Sequence, residues 1–356
     1  MIKDSVFAAL DLANQRRAER RRFLKFAGGA GAAAGGLALL SACGGGGGSP
    51  TPSPSPSPTP SPTGTAVPND IAILQLALNL EYLEAQFYSI AAFGRYLPAS
   101  STGGVVGTPG AVTGGRQRIF DDRVIANYAR EIAADEIAHV DALRAVITAA
   151  SPNFVINMPA INIDGGATGA FTAAARAAGV VGATETFDPY ASDENFLLAA
   201  FLFEDVGVTA YKGASPLITN ATYLEAAAGI LAAEAYHAGL IRSELFQRGL
   251  TARSNANKIA AARDALDGTG TLDAGIATAD ASGNLTVANI VPADGNGVAY
   301  SRSTGQVHNI VYLRRDAGIG GGFFPAGTNN SLESLRTSTA PTATPTPTPT
   351  ATATPR

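Results

Sequence analysis

The sequence predicts an all-α chain: a four-helix bundle with one long crossover and an irregular C-terminal extension. Three observations lead there. Four segments carry apolar residues at alternating spacings of three and four, the stripe that a helix buries against its neighbours. Each stripe is interrupted by one glutamate: Glu81, Glu136, Glu204 and Glu234. Two of the three histidines, His139 and His237, stand three residues after such a glutamate. Residues i and i+3 of a helix share a face, so each pair offers a carboxylate and an imidazole to one point.

The first stripe runs Ile71, Leu74, Leu78, Glu81, Ala85, Tyr88, Ala92, and the second Ile125, Ala129, Ile132, Glu136, His139, Leu143, Val146. The third is Leu197, Phe201, Glu204, Val208, Tyr211, and the fourth Ile230, Glu234, His237, Ile241, Leu245. With 12 glutamates in 356 residues, two given histidines both find Glu at −3 by chance about once in 900. One pair alone would be unremarkable on a Glu-rich helix face. The repetition on buried seams is what carries weight.

Buried, unpaired carboxylates each cost several kcal/mol, and the remedies are protonation, an ion pair or a metal. The seams show no Lys or Arg at neighbouring buried positions, so metal is the economical remedy. Two Glu-x-x-His pairs plus one Glu from each of two further helices form the ligand pattern of a carboxylate-bridged dimetal bundle. Glu84 lies beside the first seam and is the alternative to Glu81, whose register fits better. Tyr88 and Tyr211 each follow their glutamate by seven residues, an offset that suggests hydrogen bonds to the ligands as well as core packing. Glu131 and Asp135 fall off the seam and read as a solvated face. His308 has no acid three residues away and is assigned no chemistry.

Between the tails, the first helix is expected at about 70–93, with Asp70 at the N-cap position. A Gly/Thr/Pro-rich loop then leads to a second helix at about 117–150. Ser151-Pro152 ends it, because proline disfavours helical geometry in the residue before it. The crossover, 152–192, holds an Ala-rich stretch near 170–178 that suits a short helix. The third helix is expected at 193–213, and Thr222 with Glu225 reads as a capping box opening the fourth, which stops near Gly249. A further helix at 253–266 and a short strand from Asn284 to Ala288 complete the reading.

The ends suggest export. Arg20-Arg21-Arg22-Phe23-Leu24-Lys25 is a twin-arginine pattern, followed by a weakly apolar Gly/Ala stretch and a lipobox-like Leu40-Ser41-Ala42-Cys43. Cys43 is the only cysteine, so no intramolecular disulfide forms, and its position points to lipidation. The expected organisation is a signal peptide over 1–42, a Gly/Pro/Ser/Thr-rich linker over 43–67, the bundle over 68–250, an extension packing on it over 251–335, and a Thr/Pro/Ala tail over 336–356. Without residues 1–42 the chain keeps 18 basic and 26 acidic residues. With that balance and no basic patch, nucleic acid is not expected as a partner.

The stretch Asn79-Leu-Glu-Tyr-Leu-Glu-Ala-Gln-Phe-Tyr88, the two Glu-x-x-His pairs, Phe203-Glu204-Asp205, Thr304-Gly-Gln-Val307 and Gly321-Gly-Phe-Phe-Pro325 together resemble the ferritin-like superfamily. More narrowly they resemble its bacterial and plant desiccation-related group. The likeness spans about residues 70–325. It implies a ferritin-like bundle in which Glu136 and Glu234 bridge two metal ions, His139 and His237 bind one each, and Glu81 and Glu204 cap the ends. Iron is the expected metal, manganese the alternative. The expected function is an envelope-located oxidoreductase acting on H2O2 or O2, a peroxidase, catalase or oxidase held to the membrane by a lipid anchor. The alternative is a non-catalytic iron-binding or structural stress-protection protein.

Overall fold

The computed structural model describes residues 66–268 and 270–340. The twin-arginine pattern, Cys43, the Pro-rich linker and the tail beyond residue 340 lie outside the described residues.

The bundle consists of α1 (Asn69–Phe93), α2 (Arg123–Ala150), α4 (Asp193–Ala214) and α5 (Ala221–Gln247). A shorter helix, α3 (Ala170–Ala178), lies in the crossover, and α6 (Leu250–Leu266) and α7 (Thr304–Val311) follow the bundle. Helix α1 packs chiefly on α2, and α4 on α5. The fold is the all-α bundle that the four stripes imply. Among the described residues, no helix is long and apolar enough to cross a membrane.

Helix α1 begins at Asn69, so Asp70 lies in the first turn instead of capping it. Its buried carboxylate accepts hydrogen bonds from the backbone N–H of Thr219 (3.1 Å) and Asn220 (2.8 Å), fixing the approach to α5. Asn220 is the cap of α5, accepting from the N–H groups of Thr222 and Tyr223. The expected capping box at Thr222 is therefore displaced by two residues. Helix α2 starts six residues later than expected, at Arg123, with Asp122 as its cap. Asp193 is the reason: it accepts from the backbone N–H of Asp121 (3.1 Å) and Asp122 (2.8 Å) and from Arg118. Those bonds hold the preceding residues out of helical geometry.

The long loop between α1 and α2 is laced onto the crossover. Strand β1 (Val112–Thr113) pairs in parallel with β2 (Ile161–Asn162), and Val106 bridges to Ile156. Asn329, from the C-terminal region, ties both to the bundle. Its amide donates to the carbonyls of Thr108 and Asn157, its carbonyl oxygen accepts from Thr108 N–H, and its backbone exchanges hydrogen bonds with the Asn79 side chain of α1. Phe87 of α1, Phe171 of α3, Phe203 of α4 and Phe323 form a chain of ring contacts at 4.9–5.7 Å. Beyond α6, β3 (Ala277–Ala279) and β4 (Leu285–Ala288) form a small antiparallel hairpin.

A buried ion network joins this C-terminal region to α4 and α5. Asp205 meets Arg242 and Arg263, each at 2.7 Å; Asp273 meets Arg263 and Arg302, each at 2.8 Å; Asp267 meets Arg302 at 2.7 Å. Three guanidinium groups and three carboxylates balance there. Arg242 corrects the expectation of bundle seams without a buried cation. It is consumed by Asp205 and by the carbonyls of Ala274, Gly275 and Asn289.

His308 of α7 is fully buried. Its Nδ1–H donates to the Thr304 carbonyl at 2.7 Å, and Nε2 accepts from Thr328 Oγ1 at 3.0 Å. Burial pushes its pKa down to about 4, against the Thr304 hydrogen bond and with help from the Arg336 charge. The folded state thus holds a neutral imidazole that the unfolded chain protonates near pH 6.5. This contribution is complete above pH 6.5 and is lost as pH falls to about 4, a change of about 3 kcal/mol at 1.36 kcal/mol per unit. The stability advantage of wild type over His308→Gln in urea should therefore shrink by that amount between pH 7 and pH 4. An unchanged gap would refute the neutral-imidazole assignment.

Candidate metal centre

Glu81, Glu136, Glu204 and Glu234 are completely buried and converge between the four helices. His139 Nδ1 lies 3.2 Å from Glu81 Oε2 and 3.4 Å from both Glu136 Oε2 and Glu234 Oε1. His237 Nδ1 lies 3.1 Å from Glu136 Oε1 and 3.4 Å from Glu204 Oε2. Two four-residue groups result, Glu81–Glu136–His139–Glu234 and Glu136–Glu204–Glu234–His237, each with one donor atom per residue within 4.8 Å of the others. Glu136 and Glu234 belong to both.

The donor atoms are poorly served by the protein itself. Both carboxylate oxygens of Glu136 and of Glu234, Glu204 Oε2 and His237 Nδ1 make no well-aligned hydrogen bond, and the imidazole–carboxylate approaches at 3.1–3.4 Å serve only part of their capacity. Buried polar atoms are almost always satisfied, so a cluster of under-served oxygens around two imidazoles is a demand for cations. The absence of sulfur and the mixed O/N donor set suit hard or borderline ions such as manganese and iron. The residues present fit a dimetal centre.

The electrostatics agree. Burial, opposed by His139 and reinforced by Glu136, raises Glu81 to about 7. Burial and neighbouring carboxylates lift Glu234 well above the carboxylate range, and burial lifts Glu204 despite His237. Glu136 goes the other way: burial opposes its charge, but the two imidazoles hold it below the usual range. The carboxylates in turn hold both histidines far above their ordinary pKa against the effect of burial. The protein alone brings too much negative charge to one place.

The tyrosines are where the heptad offset suggests, with a twist. Seven residues carry Tyr88 about 10.5 Å along its helix, out of reach of Glu81. Its hydroxyl donates instead to Glu204 Oε1, and the Tyr211 hydroxyl donates to Glu81 Oε1. Each tyrosine thus holds the outer glutamate of the facing helix. Burial, and next the carboxylate each one faces, keep both phenols protonated.

Three residues have surroundings that seam register alone does not reveal. Asp135 is not a purely solvated residue: its Oδ2 lies 3.5 Å from His237 Nε2. Glu84 is buried, and after burial itself the charges of Glu234 and Glu136 do most to raise its pKa; it adds a carboxylate to the cluster alongside Glu81. Gly207 stands in α4 where a Cβ would come within 2.4 Å of Glu234 Oε2 and 3.5 Å of Glu84 Oε1. A side chain there would push the Glu234 carboxylate out of its present position. The signal was present: Glu84 follows Glu81 by three, and Gly207 follows Glu204 by three, so one position of the repeat is acidic and its counterpart empty.

A family model for the ferritin-like domain matches residues 69–247. A desiccation-related protein of Craterostigma plantagineum is 30% identical over 246 residues, which span 66% of this chain and 75% of that protein. A ferritin-like catalase of Nesocodon mauritianus is 26% identical over 273 residues, covering 74% of this chain and 84% of the relative. No solved structure gives a significant match. With its bundle matched over half its length and its Glu/His cluster at the centre, the chain belongs to the ferritin-like domain family.

Proposed function

We propose that the protein is a dimetal carboxylate-bridged redox protein that disproportionates hydrogen peroxide to oxygen and water, or reduces it with electrons from an external organic donor, outside the cytoplasm. The observation that carries the reading is the shared membership of Glu136 and Glu234 in both four-residue groups, the arrangement that bridging ligands require. His139 and Glu81 would complete one metal position, and His237 and Glu204 the other. When bound, two adjacent iron or manganese ions supply the two-electron capacity that peroxide chemistry needs.

The chain's own residues do the rest. Tyr88 and Tyr211 fix Glu204 and Glu81 by hydrogen bonds, so the outer carboxylates keep their orientation while charge changes at the centre. Apolar side chains exclude bulk water: Ile132, Ile241, Phe201 and Leu197 are essentially unexposed. The histidines are the most accessible members of the cluster, at 9% exposure for His139 and 6% for His237, against 0% for the four glutamates. A small substrate would therefore arrive along the edge between α2 and α5.

A relative named a catalase makes peroxide the first substrate to test, and a relative named desiccation-related supports a protective, non-catalytic reading. The arginine pattern and Cys43 support export and lipid anchoring of the loaded bundle. The decisive experiment is metal analysis of protein purified from its native envelope, followed by oxygen release from H2O2. Two ions per chain and oxygen release proportional to metal content are expected. Metal that raises the melting temperature while peroxide is left untouched would favour the protective reading. Reproducibly less than one transition metal per chain would defeat the dimetal assignment.

A further inference from the structure

The centre is built from a repeated pattern, and the repeat is broken beside the bridging glutamates. Asp135 immediately precedes Glu136, while Ala233 immediately precedes Glu234. Both imidazoles turn Nδ1 inward, toward the carboxylates. The outer nitrogens are therefore left to carry the ring proton in any metal-loaded form. At His237 that nitrogen faces Asp135 Oδ2 at 3.5 Å. The residue at the matching position of the other pair is Ala233, whose methyl group can accept no hydrogen bond. Among the described residues, the polar contacts of His139 run through Nδ1, to Glu81, Glu136 and Glu234.

We propose that the two metal positions are unequal, and that Asp135 makes the His237 position the tighter one, filled first and emptied last. This rests on the dimetal reading above. An imidazole whose outer N–H is held by a carboxylate is fixed in tautomer and ring orientation and is a stronger donor. Loss of such a partner typically weakens metal binding about 10–100-fold. Asp135 is a positioning residue here, acting through His237. The second break in the repeat, Glu84 against Gly207, shows independently that the two halves do not present the same surroundings. The His139 position becomes the exchangeable one, whose ion can be lost without emptying the centre.

The test is calorimetric titration of the metal-free full-length chain with Co(II), with circular dichroism confirming that each variant is folded. Two binding steps separated by about 10–100-fold are expected for the wild type. Asp135→Asn, nearly isosteric and partly exposed, should weaken only the tight step. Ala233→Asp should tighten only the weak one. In a His237→Ala background the Asp135→Asn substitution should have no further effect. One class of equivalent sites, or equal weakening of both steps by Asp135→Asn, would overturn the inference while leaving a dimetal centre intact. Failure of the chain to bind any cobalt would remove the dimetal reading and this inference with it.

Discussion

Replacing Asp205 by alanine is expected to destabilise the protein by about 3–5 kcal/mol, the cost of stranding buried charge when one partner of a buried pair is removed. Its Oδ2 receives both Arg242 and Arg263, which are 0% and 1% exposed. Neither guanidinium can reach water without moving its helix. The remaining carboxylates, Asp273 and Asp267, are already engaged by Arg263 and Arg302. Arg242 would keep only its three carbonyl partners. Because Asp205 turns toward the arginines and its neighbour Glu204 turns toward the cluster, the folded fraction should still take up metal. Denaturation in guanidinium, compared at matched metal occupancy, measures the loss. A change below about 1 kcal/mol would mean that water or a neighbouring acid compensates, and the network would not be the tie between bundle and C-terminal region inferred above.

What could and could not be read from the sequence follows from the range of the interactions involved. The four bundle helices and the Glu/His pairs were legible because a helix repeats its face every three to four residues, so local spacing reports a shared surface. Boundaries were less so. Helix α2 starts at Arg123 because Asp193, from another helix, captures the N–H groups of Asp121 and Asp122. The loop before it has a purpose visible only in space, where Val112 and Thr113 pair with Ile161 and Asn162. The Arg/Asp network joins residues up to 93 positions apart through Arg302 and Thr209, with no periodicity to announce it. Asp135 lies off the seam of its own helix, and by that register it reads as solvated. Its partner is on a different helix, and seam register says nothing about that.

Glu234→Gln should have the largest effect on the centre while sparing, or even strengthening, the metal-free fold. As a proposed bridge, Glu234 serves both metal positions, so its loss should reduce content from two ions to one or fewer. Metal-dependent peroxide turnover should fall by at least about 100-fold, the scale seen when an interaction essential to the transition state is removed. Stability moves the other way. In the metal-free protein the Glu234 carboxylate makes no well-aligned hydrogen bond, has only the His139 ring at 3.4 Å to offset it, and sits against Glu136, Glu81 and Glu204. A neutral amide of the same shape relieves that crowding, so the metal-free variant should melt no lower than metal-free wild type. Wild type should gain stability on metal addition by the linkage relation, about 2.7 kcal/mol at a free metal concentration 100 times its dissociation constant. The variant should lose most of that gain. Melting curves with and without metal, beside elemental analysis, separate the two effects. A variant that keeps two ions and its full metal-dependent gain would show that Glu234 is not a bridge. A metal-free variant much less stable than wild type would show that the glutamate has a structural role that its under-served oxygens do not reveal.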